Sequence, residues 1–148
     1  MTAREYLTRY RDAVREAREI ELNMMRIRLR YTAPAAINYS DMPKAHNTEH
    51  DLSDYAAKME ELSDLLLQKY EKCIAIQIDI EMRLDRMTGY KDAQIDREIL
   101  RHRYTNITDK GRYCPWELVA DAVGYSVRQV KTKHGSALQH FPMDDLRI

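Results

Sequence analysis

Residues 115–138 read PWELVADAVGYSVRQVKTKHGSAL, and the way this stretch divides into helices decides the fold. Pro115 sits where a first helical residue tolerates the missing amide hydrogen, and Trp116, Leu118, Val119, Ala120 and Val123 follow with helical spacing. Gly124 stops that helix. Ser126 is a good N-cap for the next one, which runs from Val127 to about Phe141 before Pro142. Two short helices joined by Gly124-Tyr125-Ser126 match the helix-turn-helix plan, in which a tight turn sets the second helix at a steep angle to the first. On the second helix Val130, His134, Ala137, Leu138 and Phe141 share one face, which should pack. The other side shows Arg128, Gln129, Lys131, Thr132 and Lys133, and residues 126–141 contain no acidic side chain. Arg and Lys bond guanine acceptors or phosphates, Gln pairs with adenine, and a helix N-terminus favours a phosphate. The same pattern also suits a solvated basic face on an amphipathic pair that closes a small core.

Upstream, DAQIDREILRHRY predicts a helix with Asp92 as its cap and Ile95, Ile99 and Leu100 facing inward, and residues 105–114 (TNITDKGRYC) read as a turn-rich link. Nearer the start, Tyr6, Tyr10, Ala13, Ala17, Ile20, Met24, Ile27 and Tyr31 alternate spacings of four and three, a heptad seam. Leu7, Val14, Leu22, Met25 and Leu29 widen it, so this helix should meet more than one surface. Thr2 is its N-cap. Two prolines and several Asn, Asp and Ser residues break the pattern over residues 32–50. A loop that long is often functional. From Leu52 every seventh residue is apolar to Met87 (Leu52, Met59, Leu66, Cys73, Ile80, Met87), while Lys69 and Arg83 weaken the intermediate positions. The expectation is an all-α fold: a long antiparallel helical hairpin over residues 1–89, its second helix about 50–60 Å long, followed by a small helix-turn-helix head over 90–148.

Composition agrees with helices. The 148 residues carry 32% charged side chains and only four Gly and four Pro. Net charge is zero, but Lys and Arg exceed Asp and Glu by three in residues 1–40 and by four in 97–141, while 41–96 has an acidic excess of six. A basic working end and an acidic middle follow from that asymmetry. Cys73 and Cys114 form no CxxC pair, which fits a reducing cytosol, and no apolar run approaches the ~18 residues of a membrane span. A soluble cytoplasmic protein with no membrane partner is expected.

Catalytic and metal chemistry find little support. His46 and His50 have the i, i+4 spacing of zinc ligands but lie in the loop without a third ligand, and Thr48, Glu49 and Asp51 suit a helix cap instead. Glu60, Glu61 and Asp64 read as a solvated charge run. No glycine-rich phosphate loop or nucleophile elbow occurs. Trp116 reads as a core residue of the head rather than a base-stacking platform. Neither an enzyme nor a cofactor is expected.

The order of residues adds a resemblance. Residues 97–141 resemble region 4 of sigma-70-type transcription factors, with REILRHRY like its first helix, PWELVADAVGYS like its helix and turn, and VRQVKTKHGSALQHF like its recognition helix. The whole layout, including the loop with Asp41-Met42-Pro43, is similar to short phage and prophage transcriptional regulators of the ArpU type. That resemblance implies control of phage gene expression, commonly late genes, by binding promoter double-stranded DNA in a bacterial host and engaging RNA polymerase. Carried onto this sequence, Arg128, Gln129, Lys131, Thr132 and Lys133 would read the DNA, with Arg112 and Ser126 as phosphate contacts. His134 departs from the pattern, since sigma-like heads bury an aliphatic residue there. The other sigma regions are missing, so a complete sigma factor is not expected. Three readings follow: a DNA-binding regulator, dimeric through its hairpin; a region 4 mimic that binds polymerase or an antisigma-like partner without touching DNA; and a packaging adaptor that recognises DNA.

Overall fold

The computed structural model describes residues 1–32 and 48–144. The loop motif Asp41-Met42-Pro43 and His46 lie outside them. The described chain is helical, without a strand: α1 (Ala3–Thr32), α2 (Thr48–Asp85), α3 (Ala93–Leu100), α4 (Trp116–Val123) and α5 (Val127–His140). Helix α3 runs on into a π-helical turn over Arg101–Thr105. No described helix is long and apolar enough to cross a membrane.

Helix α1 starts at Thr2 through a reciprocal cap. The Glu5 amide donates to Thr2 Oγ1 at 3.2 Å, and the Thr2 amide donates to the Glu5 carboxylate at 2.7 Å. Helices α1 and α2 then lie antiparallel. Tyr10 reaches Gln77, Glu16 takes Lys69 at 3.0 Å and Lys72 at 3.2 Å, Tyr70 donates to Glu21, and Tyr31 stacks on Tyr55. Lys69 thus fits its seam position by placing its ammonium on Glu16 at the edge of the interface.

Burial along the α1 seam is uneven. Tyr6, Leu7, Ala13 and Ala17 are buried, whereas Met25 and Leu29 stay 55% and 59% exposed and Leu52, near the start of α2, 53%. The far end of the pair is a two-layer rod, and two helices alone leave half of each surface in water. A third layer forms where α3 and α5 pack. There Tyr6, Leu7, Ile80, Leu84, Met87, Leu100, Tyr104, Ala137 and Phe141 make one apolar cluster that runs from α1 and α2 into α3 and α5. A second cluster joins α3, α4 and α5, with Ile99, Cys114, Val119, Ala120 and Val130.

Two local expectations change. Asp92 occupies the N-cap position of α3 but makes no side-chain cap bond, and its carboxylate lies 3.9 Å from Lys133. Pro115 is the residue before α4 rather than its first member, and Trp116 opens the helix. Arg83, the other weak seam position, is 7% exposed and fully engaged. Its Nη1 donates to the Pro142 and Asp144 carbonyls, both at 2.9 Å, its Nε meets Asp79 at 3.3 Å, and its guanidinium lies over the Tyr6 ring. The arginine fastens the chain end to α2, which explains a cation in an apolar seam.

Candidate nucleic-acid interface

Helix α5 is set by its cap and by one apolar face. Gly124 has φ +76, the left-handed conformation that ends α4 at low cost, and the Gly124 and Tyr125 amides both donate to the Ala120 carbonyl. Two residues later Ser126 Oγ accepts the Gln129 amide at 3.2 Å, while Gln129 Oε1 accepts the Ser126 amide at 3.1 Å. Val130, His134, Ala137 and Phe141 are buried, as their spacing predicts, and Leu138 is half-buried.

His134 is accommodated by polar and aromatic neighbours. Its Nε2 shares a 2.8 Å hydrogen bond with the Tyr104 hydroxyl, and its ring meets Trp116 edge-on at 4.9 Å between centroids. Burial, then the charges of Arg4 and Arg103, push its pKa down from 6.5 to about 4. The imidazole is therefore neutral at pH 7 and satisfied by the tyrosine.

The residues expected to read DNA are only partly alike in the fold. Arg128, Gln129, Lys131 and Thr132 are exposed on α5. Gln129 spends its carbonyl on the Ser126 cap, so it offers an outward NH2 rather than the full donor and acceptor pair that adenine takes. The Thr132 hydroxyl donates to the Arg128 carbonyl at 3.1 Å, and its methyl remains for contact. Lys133 is turned inward, over the Tyr125 ring at 5.1 Å and toward Asp92 at 3.9 Å. Ser126 is exposed at the helix start but already bonded. Arg112 is exposed in the link before α4, next to Gly111, whose carbonyl accepts a bond from Arg15 of α1 at 2.9 Å. Arg128 and Lys131 are thus the cations of the set that α5 itself presents without a described ionic partner.

Lys131 also reaches a cleft that sequence reading missed. About 440 Å³ of space is lined by Arg4, Arg103, Lys131, Tyr113, Trp116 and His134, with Thr8 and Tyr104 completing the wall. Arg103 and Tyr104 are carried there by the π-helical turn after α3. The Arg103 guanidinium lies 4.2 Å from the Trp116 centroid and 4.7 Å from that of Tyr113, and Nη1 donates to the Cys114 carbonyl at 2.7 Å. Trp116 is therefore neither pure core nor an open stacking platform, because the arginine covers its face. Burial lowers the Arg103 pKa and raises that of Tyr104. No local motif signals this site, since its cations come from three elements.

No set of three or more His, Cys, Asp and Glu side chains is placed to hold a metal ion among the described residues. Cys73 and Cys114 are free buried thiols, and burial raises both pKa values. No protein-family model, characterised protein or solved structure matches the chain.

Proposed function

We propose that the chain is a DNA-binding transcriptional regulator of the phage or prophage kind, which acts in the bacterial cytoplasm on promoter DNA and engages RNA polymerase. One observation carries the reading: α5 buries one face and presents Arg128 and Lys131 on its exposed side, along a helix free of acidic residues after a tight glycine turn. In this reading α4 and α5 are the helix-turn-helix, and the head formed with α3 serves as the DNA-binding unit. The test is selection from fragmented genomic DNA at about 0.15 M salt, where nonspecific phosphate affinity has fallen steeply. Recovery of one or a few sites upstream of genes supports a regulator. A folded protein that enriches nothing sinks the reading.

Arg128→Ala is expected to cost specific binding about 1–3 kcal/mol and to relax preference at one base position, whereas Lys131→Ala weakens all sequences alike and lowers the salt slope by about one. Titrating site and non-site duplexes at several salt concentrations checks both. Equal affinity of Arg128→Ala and the parent protein for the selected site would count against this docking of α5.

The hairpin supplies a second surface. Leu67, Ile74, Ile78 and Met82 stand 58%, 56%, 54% and 49% exposed on α2. Their spacing places them on one side, turned away from the buried Cys73, Ile76 and Ile80, so α2 has two apolar faces rather than the one seam expected. In this reading a second copy of the chain covers the outer face, and the dimer binds paired half-sites about one helical turn or a multiple apart. Ile78→Glu places a charge in the middle of that stripe, at a side chain outside the buried clusters. Sedimentation equilibrium should show a dimer becoming a monomer with unchanged helicity; an unaltered dimer would move the interface elsewhere. If that stripe instead retains polymerase subunits while no DNA site is ever selected, the region 4 mimic becomes the better reading.

A further inference from the structure

We propose that the cleft between α1, the π-helical turn and α5 is a binding site for a phosphate group. The proposal does not depend on α5 reading a DNA groove. Arg4, Arg103 and Lys131 enter the cleft from three segments far apart in sequence, and no Asp or Glu lines it. Several partly buried cations elsewhere in the fold have an acid beside them: Lys69 has Glu16, Arg83 has Asp79, Arg101 has Glu81 and Glu98, and Lys133 has Asp92. The three cleft cations have no such ion pair among the described residues. Two further cations beside the half-buried Arg103 are unfavourable, and an anion there relieves both the repulsion and the hydration that Arg103 has lost.

Phosphate suits the walls better than a carboxylate does. A phosphate monoester carries close to two negative charges and three acceptor oxygens, against one charge and two oxygens for a carboxylate. Arg103 is held in place by Cys114 and two aromatic rings, so its remaining N–H groups keep a fixed direction, the arrangement that favours forked bonding to phosphate. Arg4 and Lys131 are exposed at the mouth and can close on the anion. The Thr8 hydroxyl donates to the Arg4 carbonyl at 2.7 Å and accepts from the Tyr113 hydroxyl at 3.1 Å, so these two side chains shape the remaining wall and leave the bonding to the cations. A free phosphorylated molecule brings that full charge, whereas a nucleic-acid backbone phosphate is a diester with one charge and two free oxygens and meets the cleft through the forked bonding of Arg103.

Trp116 is the single tryptophan of the chain and forms part of the wall, so its fluorescence reports the cleft directly. Sodium pyrophosphate is titrated into the full-length protein against sodium chloride of matched ionic strength. The expected result is a saturable fluorescence change with pyrophosphate only. Arg4→Ala, which removes an exposed side chain on α1, should weaken the apparent affinity about tenfold or more while circular dichroism stays unchanged, and Arg4→Lys should recover part of it. No saturable response, the same response to chloride, or the same affinity in Arg4→Ala overturns the proposal. Adding a selected duplex separates the sources. Competition beyond the ionic-strength effect assigns the phosphate to a DNA backbone, and simultaneous binding assigns it to a free ligand; both uphold the site. Failure of the protein to bind any duplex would sink the regulator reading and leave the pyrophosphate titration to decide the cleft alone.

Discussion

Acidification from pH 7 to pH 4 is expected to remove about 3 kcal/mol of stability through His134, and His134→Gln should abolish that loss. In the unfolded chain this histidine takes a proton near pH 6.5, while in the fold its pKa is about 4. The unfolded state therefore binds more protons across that window. A folded pKa below the unfolded one means that the stabilisation is fully present above pH 6.5 and is lost as pH falls toward 4. At about 1.4 kcal/mol per pKa unit the span gives the magnitude stated, and with the ring only 6% exposed solvent screening offers little relief. Glutamine keeps a polar partner for the Tyr104 hydroxyl but does not titrate. Glu16 and Asp144 sit below their usual carboxylate values, Glu16 through hydrogen bonds from Lys69 and Lys72, and Asp144 through one from Arg86. Their contributions are held above about pH 4.5 and fade only on further acidification. Asp96 has the opposite sign, since burial raises its pKa and its effect favours the fold on the acid side. These groups are common to both proteins, so the difference between urea midpoints at pH 7 and pH 4 isolates the histidine. Parallel loss of stability in parent and variant would show that His134 is not the titrating group.

What was legible in the sequence was local. The Ser126 and Thr2 caps, the left-handed Gly124 and the buried side of α5 each depend on residues within a few positions, and the structure has them as their spacing predicts. Gln129 shows the limit of local patterns read one at a time: Ser126-x-x-Gln129 is also a capping-box pattern, in which the glutamine carbonyl is committed before any base arrives. Partners far along the chain were not legible. Arg83 breaks its heptad because its carbonyl acceptors lie at Pro142 and Asp144, and Lys133 turns away from the basic face because Asp92 and Tyr125 are near it. The outer apolar face of α2 was hidden by a simpler cause. One heptad frame accounted for the helix, and Leu67, Ile74, Ile78 and Met82 fall between its positions.

Leu100→Ala is expected to cost about 2–5 kcal/mol, from lost burial together with the cavity that neighbours only partly fill. Leu100 is fully buried at the end of α3, inside the cluster that holds Tyr6 and Leu7 of α1, Ile80 and Leu84 of α2, and Ala137 of α5. Against the roughly 5–15 kcal/mol typical of a folded domain, that loss is a large share of the whole. Its distribution tests the organisation of the chain. Far-UV circular dichroism reports mostly α1 and α2, the two longest helices, while Trp116 fluorescence reports the head. A shared core makes both signals move to the same lower urea midpoint in the variant. A fluorescence midpoint that falls while the helical signal keeps its own would show two units folding separately. A single transition would carry a consequence for any ligand of α5. Phe141 packs at 5.8 Å from the Tyr6 ring and Ala137 lies in the same cluster, so α1 supports the helix that presents Arg128 and Lys131. Truncating the hairpin should therefore weaken duplex and pyrophosphate binding even though Arg128, Lys131 and Arg103 are retained.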